Sequence, residues 1–240
     1  MKNVFITGGG RRIGRGLALR LAKCGWNIAF SFNKSELMAK KTEDEILTYG
    51  VKCIKIKADV RIESDIINSF EQIKNEFGTL NLLINNAGVY PKATLINEIE
   101  ESLWDFTLDT NLKSQFLNAK HFNKIASRNA KIINIASIGG LEIWKNRIPY
   151  NVSKAGVIQL TKALARELAP NIAVNCICPG TIVIENEPAE DSSKINIANI
   201  PMGRYGNIDD MFDVVNFLAN CSNFITGQII NVDGGYHLSN

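Results

Sequence analysis

Tyr150 and Lys154 stand four residues apart in Pro149-Tyr150-Asn151-Val152-Ser153-Lys154-Ala155-Gly156. That spacing puts both side chains on one helix face, one turn apart. A phenol titrates near about 10 and is a poor acid/base at neutrality. An adjacent ammonium favours the phenolate, and a lowering of about two to three pH units corresponds to roughly 3–4 kcal/mol. The pair could therefore move a proton to or from a substrate oxygen. The same spacing is common on solvated helix faces, so its meaning depends on the elements that position it.

The first of these is the N-terminal stretch. Val4-Phe5-Ile6-Thr7 is an apolar, partly β-branched run of buried-strand type, and it leads into Gly8-Gly9-Gly10-Arg11-Arg12-Ile13-Gly14-Arg15-Gly16. A helix through Leu17–Ala22 follows, with Gly25 as its stop. Strand, glycine loop and helix N-terminus together cradle a pyrophosphate, because glycines admit the ligand to the backbone and the helix end offers free N–H groups. The second strand, Asn27 to Phe32, ends at Asn33-Lys34-Ser35. In a dinucleotide fold this strand end meets the adenosine ribose, where an acid selects a free 2′-hydroxyl. Here Asn33, Lys34 and Ser35 replace that acid, with Arg11 and Arg12 in the adjacent loop. Cations and a hydroxyl suit a 2′-phosphate, so the expected cofactor is NADP(H).

Further strands are read at Cys53–Ala58 before Asp59-Val60, at Leu82–Ile84 before Asn85-Asn86-Ala87-Gly88, and at Ile132–Ala136 before Ser137. Two more fall at Ile172–Ile177 before Pro179-Gly180 and at Gln228–Val232. Helices are read over 62–77, 99–126, 150–168 and 208–220. Strand ends on one side of a parallel sheet form a ligand crevice. Residues 181–206 lack periodicity, and so long an irregular stretch is usually a functional lid. The alternation of strands and helices without a linker predicts one α/β domain over 1–240: a Rossmann-type, doubly wound fold with a seven-stranded parallel sheet flanked by helices.

Composition narrows the classes. With 240 residues, 45% hydrophobic and 21% charged, the chain is long enough for one large core. The formal net charge is +3, and the 27 Lys and Arg residues are scattered, which argues against nucleic acid or an anionic membrane as partner. No apolar run is long enough for a membrane span, and the apolar run near Met1 is too short for a signal peptide. Five cysteines, odd in number and mostly in apolar segments, fit a reduced, cytoplasmic protein. Cys176-x-Cys178 has no second pair or His nearby, so no metal is expected.

Taken jointly, Thr7-Gly8 with Gly14, Asp59, Asn85-Asn86-Ala87-Gly88, Asn111, Ser137, Tyr150 with Lys154, and Pro179-Gly180 resemble the short-chain dehydrogenases/reductases over essentially the whole chain. The resemblance implies an oxidoreductase in which Tyr150 exchanges a proton with the substrate oxygen and Ser137 polarises the carbonyl. It implies that Lys154 lowers the Tyr150 pKa and binds the nicotinamide ribose, and that Asn111 supports a water linked to Lys154. Asp59 and Val60 would flank the adenine, while Asn85, Ala87 and Gly88 would line the cleft. The family's Thr beyond Pro-Gly is displaced here, leaving backbone groups of Ile182 for the carboxamide. Family members are commonly tetramers, joined through the helices at 99–126 and 150–168.

Two departures bear on the substrate. Arg12 occupies the position of a loop glycine, which, with Asn33-Lys34-Ser35, resembles the pteridine reductases. Ser137 stands where those enzymes generally carry Asp, and it suits a ketone or alcohol. The catalytic set touches the reacting atoms and carries more weight. The expectation is an NADP(H)-dependent reductase of a small or acyl-carrier-bound carbonyl, of the 3-oxoacyl type. A dihydropterin reductase is the alternative, and a non-catalytic NADP(H) sensor is the reading from another class.

Overall fold

The computed structural model describes residues 1–184 and 196–238. Seven strands, β1 (Asn3–Ile6), β2 (Asn27–Phe32), β3 (Cys53–Lys57), β4 (Leu80–Asn85), β5 (Ala126–Ile135), β6 (Ile172–Pro179) and β7 (Ile229–Val232), form one parallel sheet in the order β3-β2-β1-β4-β5-β6-β7. The chain turns outward in both directions from β1 and β4, whose register pairs Val4 with Leu82 and Ile6 with Ile84. Crevices open beyond the C-terminal ends of strands at such a reversal.

Period-two alternation divides the strand side chains between two helical layers. On one face Ile6, Phe30 and Ile84 pack with Leu17 and Leu21 of α1 (Arg12–Lys23) and with Met211 and Val215 of α7 (Ile208–Asn220). On the other, Phe5, Leu83 and Ile132 pack with Ile66 and Phe70 of α3 (Glu63–Phe77) and with Leu117 and Phe122 of α5 (Ser114–Phe122). Helices α2 (Glu36–Leu47), α4 (Glu101–Leu108) and α6 (Ile148–Glu167) complete the layers.

The helix expected over 99–126 is interrupted. Helix α4 passes into a π-helical turn, Asp109–Lys113, before α5 begins, and β5 already starts at Ala126. The wide turn carries Asn111, whose side chain is fully buried, and such bulges mark places where a side chain rather than the ladder sets the geometry. Part of the expected lid, 185–195, lies outside the described residues. Its flank is anchored by a bridge between Ile182 and Gly206.

Candidate active site

A cleft of about 800 Å³ runs across the C-terminal strand ends. At one end are Asn33, Lys34, Ser35, Asp59 and Val60; in the middle Gly8, Arg11, Arg12, Ile13 and Gly14 face Ala87 and Gly88; at the other end are Ser137, Tyr150, Lys154, Pro179, Gly180 and Ile182. This is the length and sequence of surfaces an extended dinucleotide needs.

The glycine loop fits a pyrophosphate closely. A Cβ on Gly14 would lie 2.3 Å from the Gly8 carbonyl oxygen and 2.6 Å from Asn86 Nδ2. Gly8 itself has φ +67. No side chain caps the N-terminus of α1 and no acid sits in its first turn, so its N–H groups and positive dipole end are open to an anion. Arg12, at the position of a loop glycine, has a left-handed backbone, with φ 51. That conformation costs a non-glycine residue about 1 kcal/mol or more.

Three expected residues do not face the cleft. Thr7 Oγ1 accepts from the backbone N–H groups of Asn86 and Ala87, both at 3.0 Å, and so ties β1 to the turn after β4. Asn85 is buried, and its Nδ2 donates to Asn134 Oδ1 at 2.9 Å. As the last residue of β4 it points inward, and the next residue, Asn86, lines the cleft in its stead. Asn111 Oδ1 accepts from Val89 N at 2.7 Å, while Nδ2 donates to Val89 O and Ser153 Oγ, each at 3.0 Å. Ser153 Oγ in turn donates to the Tyr150 carbonyl at 2.8 Å. Asn111 thus clamps the loop after β4 to the first turn of α6.

At the reacting end, Ser137 Oγ accepts from Gly139 N at 3.1 Å and stands beside the Tyr150 phenol, whose pKa it lowers. Lys154, buried, donates from Nζ to the Ile135 carbonyl at 3.0 Å. At Tyr150 burial outweighs the groups that favour the phenolate. Burial pushes the Tyr150 phenol up to about 12, with Tyr90 and Cys178 adding to the rise and the Ser137 hydroxyl and Arg147 charge opposing it. Burial likewise pulls Lys154 down to about 8. Both groups are held toward their neutral forms, because desolvation penalises charge on either one.

Several residues that line or support the cleft carry no motif. Tyr90 stands edge-on to Tyr150, with ring centroids 4.7 Å apart, and Trp144 lies parallel to Tyr150 at 6.0 Å. Arg147 covers the outer face of Tyr90. At the adenine end, Arg61 is paired with Asp59, whose carboxyl it holds below the usual range, while Asn33 also hydrogen-bonds that carboxylate. The signal for Asn86 was present in strand parity, since Asn85 and Asn86 must face opposite ways.

The fold and this cleft define a nucleotide-dependent oxidoreductase of the Rossmann class. A family model described as enoyl-(acyl carrier protein) reductase matches residues 9–237. A 3-oxoacyl-[acyl-carrier-protein] reductase from Staphylococcus epidermidis is 36% identical over 99% of both chains. Among solved structures, a short-chain dehydrogenase/reductase from Serratia marcescens superposes with a TM-score of 0.92 at 30% identity, covering 98% of this chain and 97% of that one. A short-chain dehydrogenase from Burkholderia cenocepacia, in complex with NADP, gives 0.92 at 28% identity, covering 98% of each. The chain belongs to the short-chain dehydrogenase/reductase family. No helix among its described residues is long and apolar enough to cross a membrane.

Proposed function

We propose that the protein is an NADPH-dependent ketone reductase acting on 3-oxoacyl thioesters, with acyl-carrier-bound chains as the intended class. The observation that carries this reading is a neutral Tyr150 phenol beside the Ser137 hydroxyl at the end of a dinucleotide-shaped cleft. Reduction of a ketone needs a proton donor, and a phenol held protonated by burial is ready as one. Staphylococcal relatives named 3-oxoacyl-[acyl-carrier-protein] reductases support the substrate class. The NADP-bound Burkholderia structure supports the cofactor, as do Arg11, Arg12, Lys34 and Ser35 in the cleft wall.

When bound, NADPH supplies the hydride to the carbonyl carbon. Negative charge then gathers on the carbonyl oxygen, where the Ser137 and Tyr150 hydroxyls are positioned to stabilise it. Tyr150 gives its proton to that oxygen, leaving an alcohol and a phenolate. Lys154, on the same helix face, is the nearest ammonium from which the phenolate recovers a proton. Gly8, Gly14 and the α1 N-terminus hold the pyrophosphate, Arg11, Arg12, Asn33, Lys34 and Ser35 the 2′-phosphate end, and Asp59 and Val60 the adenine. Ala87, Gly88, Pro179, Gly180 and Ile182 enclose the nicotinamide half. The working form is a homotetramer joined through α4, α5 and α6.

One observation favours a second reading. Arg12 in its left-handed conformation and the aromatic walls Tyr90 and Trp144 would also suit a flat dihydropterin. Following NADPH oxidation with acetoacetyl thioesters and with dihydropterins separates the two. Turnover of the thioester supports the proposal, and turnover of the pterin alone overturns it.

A further inference from the structure

The proton donor is held from behind by a residue that does not line the cleft. Arg147 occupies the position just before α6, three residues before Tyr150, and is buried at 6% exposure. Its guanidinium lies 4.1 Å from the centre of the Tyr90 ring, and its Nη1 donates to the Pro91 carbonyl. Tyr90 in turn meets Tyr150 edge to face, at 4.7 Å and 83°. Arg147 thereby joins the segment after β4 to the start of the catalytic helix. The same two segments are tied again by Thr94 N donating to the Asn146 carbonyl at 3.0 Å.

Tyr90 and Pro91 take the face of Arg147 and one of its donors, and its charge opposes the rise that burial imposes on the Tyr150 phenol. The other groups facing Tyr150 are the Ser137 hydroxyl, the Lys154 amine, the Tyr90 phenol and, from β6, the Cys178 thiol. Among these Arg147 is the one side chain that is cationic at every working pH. We propose that Arg147 is a positioning residue for the reaction: acting through Tyr90, it fixes the ring of Tyr150 toward Ser137 and supplies the permanent positive charge beside the phenol. This rests on Tyr150 being the proton donor of the proposed reductase.

The test compares Arg147→Gln, Arg147→Lys, Tyr90→Leu and Tyr90→Phe with the parent. Near-UV circular dichroism reads the Tyr90–Trp144–Tyr150 ring cluster without requiring turnover, and far-UV circular dichroism checks the fold. For Arg147→Gln we expect a reduced near-UV signal and a kcat about 10- to 100-fold lower, the scale of a slightly misplaced catalytic group. KM for NADPH should stay within about twofold. In the alcohol-oxidising direction, which needs the phenolate, the activity midpoint should move up by about one pH unit, and Arg147→Lys should restore most of it. If Arg147→Gln fails to fold, Tyr90→Leu removes the intermediary while leaving the Arg147–Pro91 bond. That variant should lose kcat and near-UV signal, with Tyr90→Phe nearer to the parent. A folded Arg147→Gln or Tyr90→Leu with parental near-UV spectrum and pH profile overturns the proposal. A parent that reduces no ketone would count against the reductase reading instead, and the near-UV comparison would still decide the positioning role.

Discussion

Lys154 Nζ lies 5.9 Å from the centre of the Tyr150 ring and is bonded to the Ile135 carbonyl. The two side chains share a helix face, yet burial shifts each toward its neutral form, the phenol up to about 12 and the ammonium down to about 8. That relationship has a consequence for stability. Lys154 is depressed from 10.5 to about 8 by burial, so between those values the unfolded chain binds the extra proton. Stability must therefore rise with pH across that window, and below about pH 8 the buried ammonium costs the fold about 3 kcal/mol. Urea unfolding of the parent and Lys154→Met should diverge, the parent gaining about 2 kcal/mol more between about pH 8 and 9.5. Parallel pH dependences would contradict this.

Asn111 is predicted to act as a clamp. Asn111→Leu leaves the half-buried Val89 N–H and carbonyl without their side-chain partner, at a cost of about 1–2 kcal/mol. Because the same side chain reaches Ser153, kcat should fall together with the unfolding free energy, as steady-state rates and urea melts on one preparation would show.

The helix containing Asn111 also marks a limit of what the sequence discloses. Strand positions, the parallel class and the cleft residues at strand ends were legible, because buried runs and glycine turns repeat along the chain. The π-helical turn at Asp109–Lys113 was not, since nothing in local periodicity records that Asn111 must reach Val89 across the fold. Asn85 was misplaced for a related reason: a motif names the residue, and only strand parity decides which neighbour faces the ligand. Tyr90, Trp144 and Arg147 come together from separate loops, with no spacing to announce them. The charge balance at Tyr150 depends on burial, which a four-residue spacing cannot convey.

Cofactor choice should depend on the cations at the end of β2 and in the glycine loop. Lys34→Ala and Arg11→Ala should each raise KM for NADPH by about 10- to 100-fold, the worth of a charge-assisted hydrogen bond. KM for NADH should barely move. Steady-state titration with both cofactors checks this, and equal losses for the two would refute the assignment.

The glycine loop offers a steric test. In Gly14→Ala the added methyl meets the Gly8 carbonyl oxygen at 2.3 Å, a backbone atom that cannot swing aside. Overpacking of this kind costs about 1–3 kcal/mol. Urea unfolding should show that loss, and fluorescence titration should show weakened NADPH binding.

The most direct test of the central claim is Tyr150→Phe assayed beside the parent with NADPH and an acetoacetyl thioester. The ring, its contacts with Tyr90 and Trp144 and the cofactor cleft all remain, and only the hydroxyl is removed. The account predicts NADPH binding within about threefold of the parent and a kcat lower by about 10²- to 10⁴-fold, the contribution of a positioned general acid. A Tyr150→Phe variant that reduces the thioester at the parental rate would contradict it.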